Sequence, residues 1–286
     1  MFTCKIENEV GEVLELTGRE NEYQVYQIDG LTPPTAQINT STLVGLDGER
    51  FNSSKLNTRH ITIMMKINGN VEANRLRLYQ YARTKEKIRF YITTASRDVY
   101  IDGYVESLEV MIFAMVQVAQ IGILCPYPYF SALDEILADS TNVSAGFMFP
   151  FSIDEDDPVA ISEEAESDGI IIYNSSEAET GAVINIRFVS GASSIKIQNT
   201  GTGDEFQLNY TFLAGDVVIV NTNIGRKSIT LVRNGNISNL FSALVPGSTF
   251  PELEPGTNVF DYLVDGAAPT GQVEMQFRYR NVYRGV

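Results

Sequence analysis

Tryptophan is missing from the 286 residues, histidine occurs once, as His60, and cysteine twice, as Cys4 and Cys125. Two cysteines without a CxxC pair exclude the disulfide framework of small secreted domains and the common thiolate metal clusters, so both read as buried thiols. A single histidine excludes most Ser-His-Asp and Cys-His arrangements, and His60 reads as a structural residue of the strand Arg59 to Ile67. The longest apolar run, Val110 to Leu124, contains Gln117 and Gln120 and is shorter than the roughly 20 residues of a membrane helix. Near Met1, the acids Glu7, Glu9 and Glu12 interrupt any leader pattern of basic then apolar residues. The expectation is a soluble chain with no cofactor and no membrane insertion.

Positive charge is also scarce, and the shortage has a location. Lys and Arg number 21 against 36 Asp and Glu, a net charge of −15. Residues 1–130 hold 13 basic against 15 acidic side chains, whereas residues 131–286 hold 8 against 21. A surface so negative repels phosphate backbones, which argues against direct nucleic-acid binding. Between Asp134 and Asp168 lie 11 acids and neither Lys nor Arg.

The segment VMIFAMVQVAQIGILCPYPYF (Val110 to Phe130) stops at a proline and aromatic cluster where this charge balance changes, which marks a domain boundary. The length suits two domains: residues 1–130, an acidic linker over 131–169, and residues 170–286. In the first, Thr17 to Ile28 and Thr35 to Val44 flank DGLTPP, whose Gly30, Pro33 and Pro34 make a turn or an exposed excursion. Thr58 to Ile67 is a β-branched, apolar strand closed by Asn68-Gly69. Asn70 then caps VEANRLRLYQYARTK, where Val71, Ala73, Leu76, Tyr79 and Ala82 recur at helical spacing and define a packing face. Arg75, Arg77, Arg83, Lys85, Lys87 and Arg89 form the densest positive patch, either a solvated face or a contact for an acidic neighbour. Ile88 to Thr93, Val99 to Ile101 and Val105 to Leu124 read as the remaining strands. The candidate protein interface comprises Arg75, Arg77, Arg83 and Lys85 with the Leu31, Pro33 and Pro34 excursion.

In the linker, Leu133 to Leu137 suits one helical turn. From Ile170 onward, alternation of period two is clean. Ile184, Ile186 and Phe188 alternate with Asn185 and Arg187, and Phe206, Leu208, Tyr210 and Phe212 with Gln207, Asn209 and Thr211. Val273, Met275, Phe277 and Tyr279 alternate with Glu274, Gln276 and Arg278. Each is a strand with one buried face. With Asp216 to Asn221, Ser228 to Arg233, Val259 to Val264 and the Asn234-Gly235 turn, the pattern is an antiparallel sandwich.

Little of the chain invites chemistry. The acids of DEDD (Asp154 to Asp157) and EEAESD (Glu163 to Asp168) sit among Pro158, Ser162 and Gly169, whereas glycoside hydrolysis needs two carboxyls in a formed cleft, one raised by burial. Asp154, Asp156 and Asp157 are hard oxygen ligands but lack the alternation and glycine of a calcium loop. Sugar recognition is the open alternative, with Tyr173, Tyr210 and Tyr262 as the aromatic candidates, although Tyr210 falls on the buried face of its strand.

Taken in order, GLDGERFN (Gly45 to Asn52), NTRHITIMMKING (Asn57 to Gly69), the helical stretch, IDGYVES (Ile101 to Ser107) and the closing CPYPYF resemble the distal tail protein family of long-tailed bacteriophages. Past the boundary, GDVVIVNTNIGRKSITL (Gly215 to Leu231), STFPELEPGTNVF (Ser248 to Phe260) and EMQFRYRNVYRG (Glu274 to Gly285) resemble that family's second domain. The resemblance implies a mainly β protein: a sandwich or barrel-like tail-tube-type domain with one helix, followed by a galectin-like jelly roll. It implies a structural, non-enzymatic role at the virion tail tip, assembled in the bacterial host cytoplasm. The expected form is a homo-oligomer, a hexameric ring joining the major tail tube protein to the tail-tip hub protein, with receptor-binding proteins as further partners. A carbohydrate-binding adsorption module is the alternative. Galectin-type sites use a histidine and a tryptophan, and residues 131–286 contain neither.

Overall fold

The computed structural model describes residues 2–17, 22–45, 47–139, 169–265 and 273–286. The chain forms two compact units, Met1–Leu133 with Val282–Val286, and Asp134–Asn281. These units divide the chain differently from the sequence pattern, since Asp134 already belongs to the second and residues 282–286 return to the first.

The first unit contains β1 (Thr3–Asn8), β2 (Val13–Glu15), β3 (Tyr23–Asp29), β4 (Ala36–Thr42), β5 (Glu49–Leu56), β6 (Arg59–Ile67), α1 (Val71–Tyr81), β7 (Lys87–Thr93), β8 (Asp98–Val110), β9 (Val118–Cys125) and β10 (Phe130–Ala132). The main sheet runs β2-β1-β7-β8-β9-β6-β3 and stays open between its edges β2 and β3 instead of closing into a barrel. Alternation decides the inward face. Ile61, Ile63, Met65 and Ile67 of β6 meet Ala119, Ile121 and Ile123 of β9 and Ile88, Phe90 and Ile92 of β7 in one buried cluster. The apolar stretch expected as one strand from Val105 to Leu124 is two. β8 and β9 pair Val110 with Ala119, and Phe113 turns between them at φ 68°. Apolar residues at the tip of that turn simulate a continuous strand in sequence.

Asn70 caps α1 by accepting from the Ala73 amide. The helix face differs from the periodic one. Asn74, Leu78 and Ala82 are buried, and Leu76 and Tyr79 are exposed. Asn74 turns inward because its side-chain Nδ2 donates to the Asn68 backbone carbonyl at 2.8 Å, and the Asn74 backbone carbonyl accepts from the Tyr23 hydroxyl at 2.8 Å. A hydrogen-bonded polar side chain thus replaces an apolar anchor, and the i, i+4 row that follows it faces the core.

The second unit contains β11 (Ile136–Asp139), β12 (Ile170–Asn174), β13 (Thr180–Phe188), β14 (Ala192–Asn199), β15 (Glu205–Phe212), β16 (Val217–Asn221), β17 (Ser228–Arg233), β18 (Asn236–Asn239), β19 (Glu252–Leu253), β20 (Gly256–Asp265) and β21 (Val273–Tyr279). β22 (Val282–Tyr283) then pairs β10 of the first unit's sheet. The expected helical turn at Leu133 to Leu137 is instead the start of β11, which pairs β21 from Ile136 to Asp139. A backbone hydrogen-bond partner on a distant strand overrides a five-residue helical preference.

Two antiparallel sheets, β11-β21-β13-β16-β17-β18 and β12-β20-β14-β15, make a sandwich. Ile184, Ile186 and Phe188 of one sheet share a core with Ile195, Ile197, Phe206 and Phe260 of the other. Phe188 stacks on Phe212 with centroids 4.1 Å apart, and Phe260 on Phe277 at 5.2 Å. Each buried phenyl contributes roughly 1.5–3 kcal/mol, and truncating one to alanine costs about 3–5 kcal/mol. Tyr210 departs from the alternation of β15 and is half exposed. The register shifts between Ala192 and Ser194, opposite this segment, and the bulge releases Tyr210 from the inward row.

Candidate functional site

The basic segment carries its own counter-charges. Arg77 meets Glu22 at 2.9 Å, Arg75 meets Glu72 at 3.7 Å, Arg83 meets Glu86 at 3.6 Å, and Lys87 and Arg89 reach Asp102 at 3.1 and 2.6 Å. Burial alone would raise the Asp102 carboxyl, but hydrogen bonds from Arg89 and Lys87 hold it below the ordinary range. Lys85, in the left-handed region at φ 73°, is exposed. Exposed pairs of this kind contribute about 0–1 kcal/mol each, so they neutralise the segment more than they stabilise it. The exposed helix face shows Leu76 and Tyr79 among these charges.

The Leu31 to Pro34 excursion is tied down. Arg59 is 3% exposed. Its Nη1 donates to the Thr32 carbonyl at 2.7 Å and to that of Gly30, its Nε to Pro128 at 2.8 Å, and its guanidinium lies 4.6 Å from the Phe130 ring centroid. Gly30 has φ +88°, and a Cβ there would sit 2.0 Å from the His60 carbonyl oxygen, so this close approach requires glycine. Leu31 packs against the first core and its carbonyl accepts from the Val286 amide at 3.2 Å. Of the candidate excursion, Pro33 stays exposed while Leu31 and Pro34 are half-buried.

Two larger surfaces escaped the sequence pattern. β4 and β5 pair only with each other, and nearly every residue of both is exposed, including Ile38 at 62% and Phe51 at 60%. The β8–β9 turn exposes Met111, Ile112, Phe113, Met115 and Val116 together. Contiguous apolar exposure of this kind marks protein contacts. Its sequence signal was present in MIFAMV but was absorbed into a strand.

Residues 175–283 match the family model described as the siphovirus-type tail component, C-terminal domain. The matched stretch lies almost wholly within the second unit. The fold of the chain agrees across its length with the SPP1 Dit (gp 19.1) protein, described as a paradigm of hub adsorption apparatus in phages infecting Gram-positive bacteria. That likeness has a TM-score of 0.68 at 15% identity and covers 99% of each chain. Similarity extends to a chain of the phage P2 baseplate in its activated conformation with calcium, with TM-score 0.55, 12% identity and coverage of 97% and 98%. No curated protein sequence matches the chain.

Other candidate groups of the chain are dispersed. His60 Nδ1 lies 3.3 Å from Glu106 on an exposed face. Burial pushes the Cys4 and Cys125 thiols up to about 12, opposed only weakly by the Thr17 hydrogen bond and by Arg59 respectively. Among the described residues no group of three or more His, Cys, Asp or Glu could hold a metal. The acids Asp154 to Asp157 and Glu163 to Asp168 lie outside the described residues. The three tyrosines do not form a platform. Tyr173 faces outward with Ile171, whereas Tyr262 packs against the sandwich core.

Proposed function

We propose that this protein is a structural distal tail protein at the tail tip of a long-tailed phage or prophage, assembled in the host cytoplasm. Six copies form a ring that joins the major tail tube protein to the tip hub, and no catalysis is assigned to it. The observation that carries the assembly reading is the β4–β5 hairpin. A two-stranded ribbon wet on both faces is marginal by itself, and this one also displays Ile38 and Phe51. A neighbouring copy that covers it removes this apolar surface from water and shields its open edges, and a closed ring gives every copy such a neighbour. The apolar β8–β9 turn and the helix face bearing Leu76, Tyr79, Arg75, Arg77 and Arg83 are further contact surfaces in this reading.

Mass measurement by light scattering on the purified chain tests it. The expected mass is six times 31.7 kDa for the chain alone, or that mass plus the bound partner's when the adjacent tube or hub protein is added. A chain that stays monomeric in both conditions contradicts it.

A further inference from the structure

The outward face of the β11-β21-β13-β16 sheet bears a groove of about 520 Å³, lined by Asp139, Asn185, Arg187, Glu274, Gln276 and Arg278 together with Val217 and Ile219. That size falls in the roughly 300–1,000 Å³ range of small-molecule sites. Strand register arranges its side chains in rows. Asp139, Gln276, Asn185, Ile219 and Thr230 are successive cross-strand partners, and Glu274, Arg187 and Val217 form the adjacent row. Gln276 Nε2 donates to Asp139 Oδ1 at 2.9 Å, Asn185 Nδ2 to Gln276 Oε1 at 3.5 Å, and Arg187 Nη1 to Glu274 Oε2 at 3.1 Å. Arg278 pairs with Val183, which places it diagonally across from Asn185.

Two polar atoms of this groove are buried and make no hydrogen bond: Asn185 Oδ1, an acceptor, and Arg278 Nε, a donor. Buried polar atoms are ordinarily satisfied, so a partner that completes both as the Asn185 and Arg278 side chains turn toward the groove is expected. An anion could serve only the donor, and a metal cation only the acceptor. A hydroxyl group donates and accepts at once. The lining charges also cancel, Asp139 and Glu274 against Arg187 and Arg278, which favours a neutral ligand over a charged one. Val217 and Ile219 supply apolar surface for the C–H faces of a ring.

We propose that this groove is a binding site for a neutral saccharide of one or two sugar rings. It would place a sugar contact on the second domain, away from the exposed Tyr173 that an aromatic platform would use. The site stands on residues of that domain alone and does not depend on ring assembly.

Saturation-transfer difference NMR on the full chain tests the site, using glucose, galactose, rhamnose and N-acetylglucosamine as probes, with acetate and inorganic phosphate as charged competitors. Signal from at least one sugar is expected. Asn185→Ala and Arg278→Lys should each weaken it about tenfold, the effect of deleting one hydrogen bond at a site that stays buried, and Tyr173→Ala should leave it unchanged. Should either groove variant fail to fold, a nitroxide label on Ser228→Cys, in the row beside the groove, should broaden the lines of the bound sugar. Silence from all four sugars overturns the proposal, as does displacement by the anions. Loss in Tyr173→Ala with retention in the groove variants, or a sugar unbroadened by the label, overturns it equally.

Discussion

Arg59 Nη2 donates to the Arg284 carbonyl at 2.5 Å, a bond that spans 225 residues of sequence. One guanidinium therefore holds the Gly30 to Thr32 excursion, the Pro128 boundary and the returning segment 282–286 together. β22 adds backbone pairing to β10, and Arg97 donates to the Gly285 carbonyl while stacking on Tyr283 at 4.3 Å. The first unit is therefore completed by residues encoded after the second.

Arg59→Met should destabilise the first unit by about 3 kcal/mol, since it strands several buried carbonyl groups at once. A fragment of residues 1–133 should melt lower than the same unit in the full chain, because it lacks β22 and the Arg284 acceptor. Thermal unfolding followed separately for each unit reads both effects. Equal melting of the fragment and the unit in the full chain would show that the returning segment is ornamental.

The two thiols give a pH-dependent reading of the same unit. Burial raises Cys4 and Cys125 from the ordinary thiol value of 9.0 to about 12. A folded-state pKa above the unfolded one means stability that is complete below about 9 and is lost as pH climbs toward 12. At pH 8 a disulfide reagent should modify neither thiol until the unit opens, so modification should track unfolding in denaturant. Rapid modification of the native chain at pH 8 would contradict the burial.

In the second unit, Asp216 is 2% exposed and receives Arg233 Nη2 at 2.5 Å and the Leu213 amide at 2.8 Å. The Arg233 hydrogen bonds, more than the backbone bond, hold its carboxyl below the ordinary range against the opposing effect of burial. A depressed pKa contributes stability above the unfolded value near 4 that disappears as pH falls through the folded one. Asp216→Asn should cost about 2 kcal/mol at pH 7, the scale of a charge-assisted hydrogen bond, and should flatten the acid limb of the stability curve. An unaltered acid limb in the variant would remove Asp216 as its cause.

Much of the sandwich was legible because burial on one face writes itself as alternation: Ile184, Ile186 and Phe188, or Val273, Met275 and Phe277, need no distant information. Tyr210 failed because a bulge depends on the partner strand, which a single strand's pattern does not contain. α1 failed on its face because Asn74 is buried through hydrogen bonds, and polar burial has no hydrophobic signature. The hairpin β4–β5 was legible as turn and strand fragments only, since a ribbon wet on both faces has no period. The basic segment stood out by composition, yet its partners Glu22 and Asp102 come from other elements. The return of residues 282–286 has no local signal at all.

The hairpin supplies the sharpest test of assembly. If a neighbouring copy covers it, Ile38→Asn combined with Phe51→Ser should abolish the ring while leaving the monomer's stability within about half a kcal/mol, because both side chains are exposed before association. Apolar contact also predicts little response to salt. Raising ionic strength from 0.1 to 1 M shortens the Debye length from about 10 to about 3 Å and would dissolve a ring held by the arginines of α1. Arg75, Arg77 and Arg83, on and just after α1, already face Glu72, Glu22 and Glu86 within their own unit, so screening has little free charge to act on. Light scattering across that salt range should therefore show an intact ring for the unaltered chain and monomer for the double variant. A ring that dissolves with salt but survives the double substitution would transfer the contact from the hairpin to the basic helix.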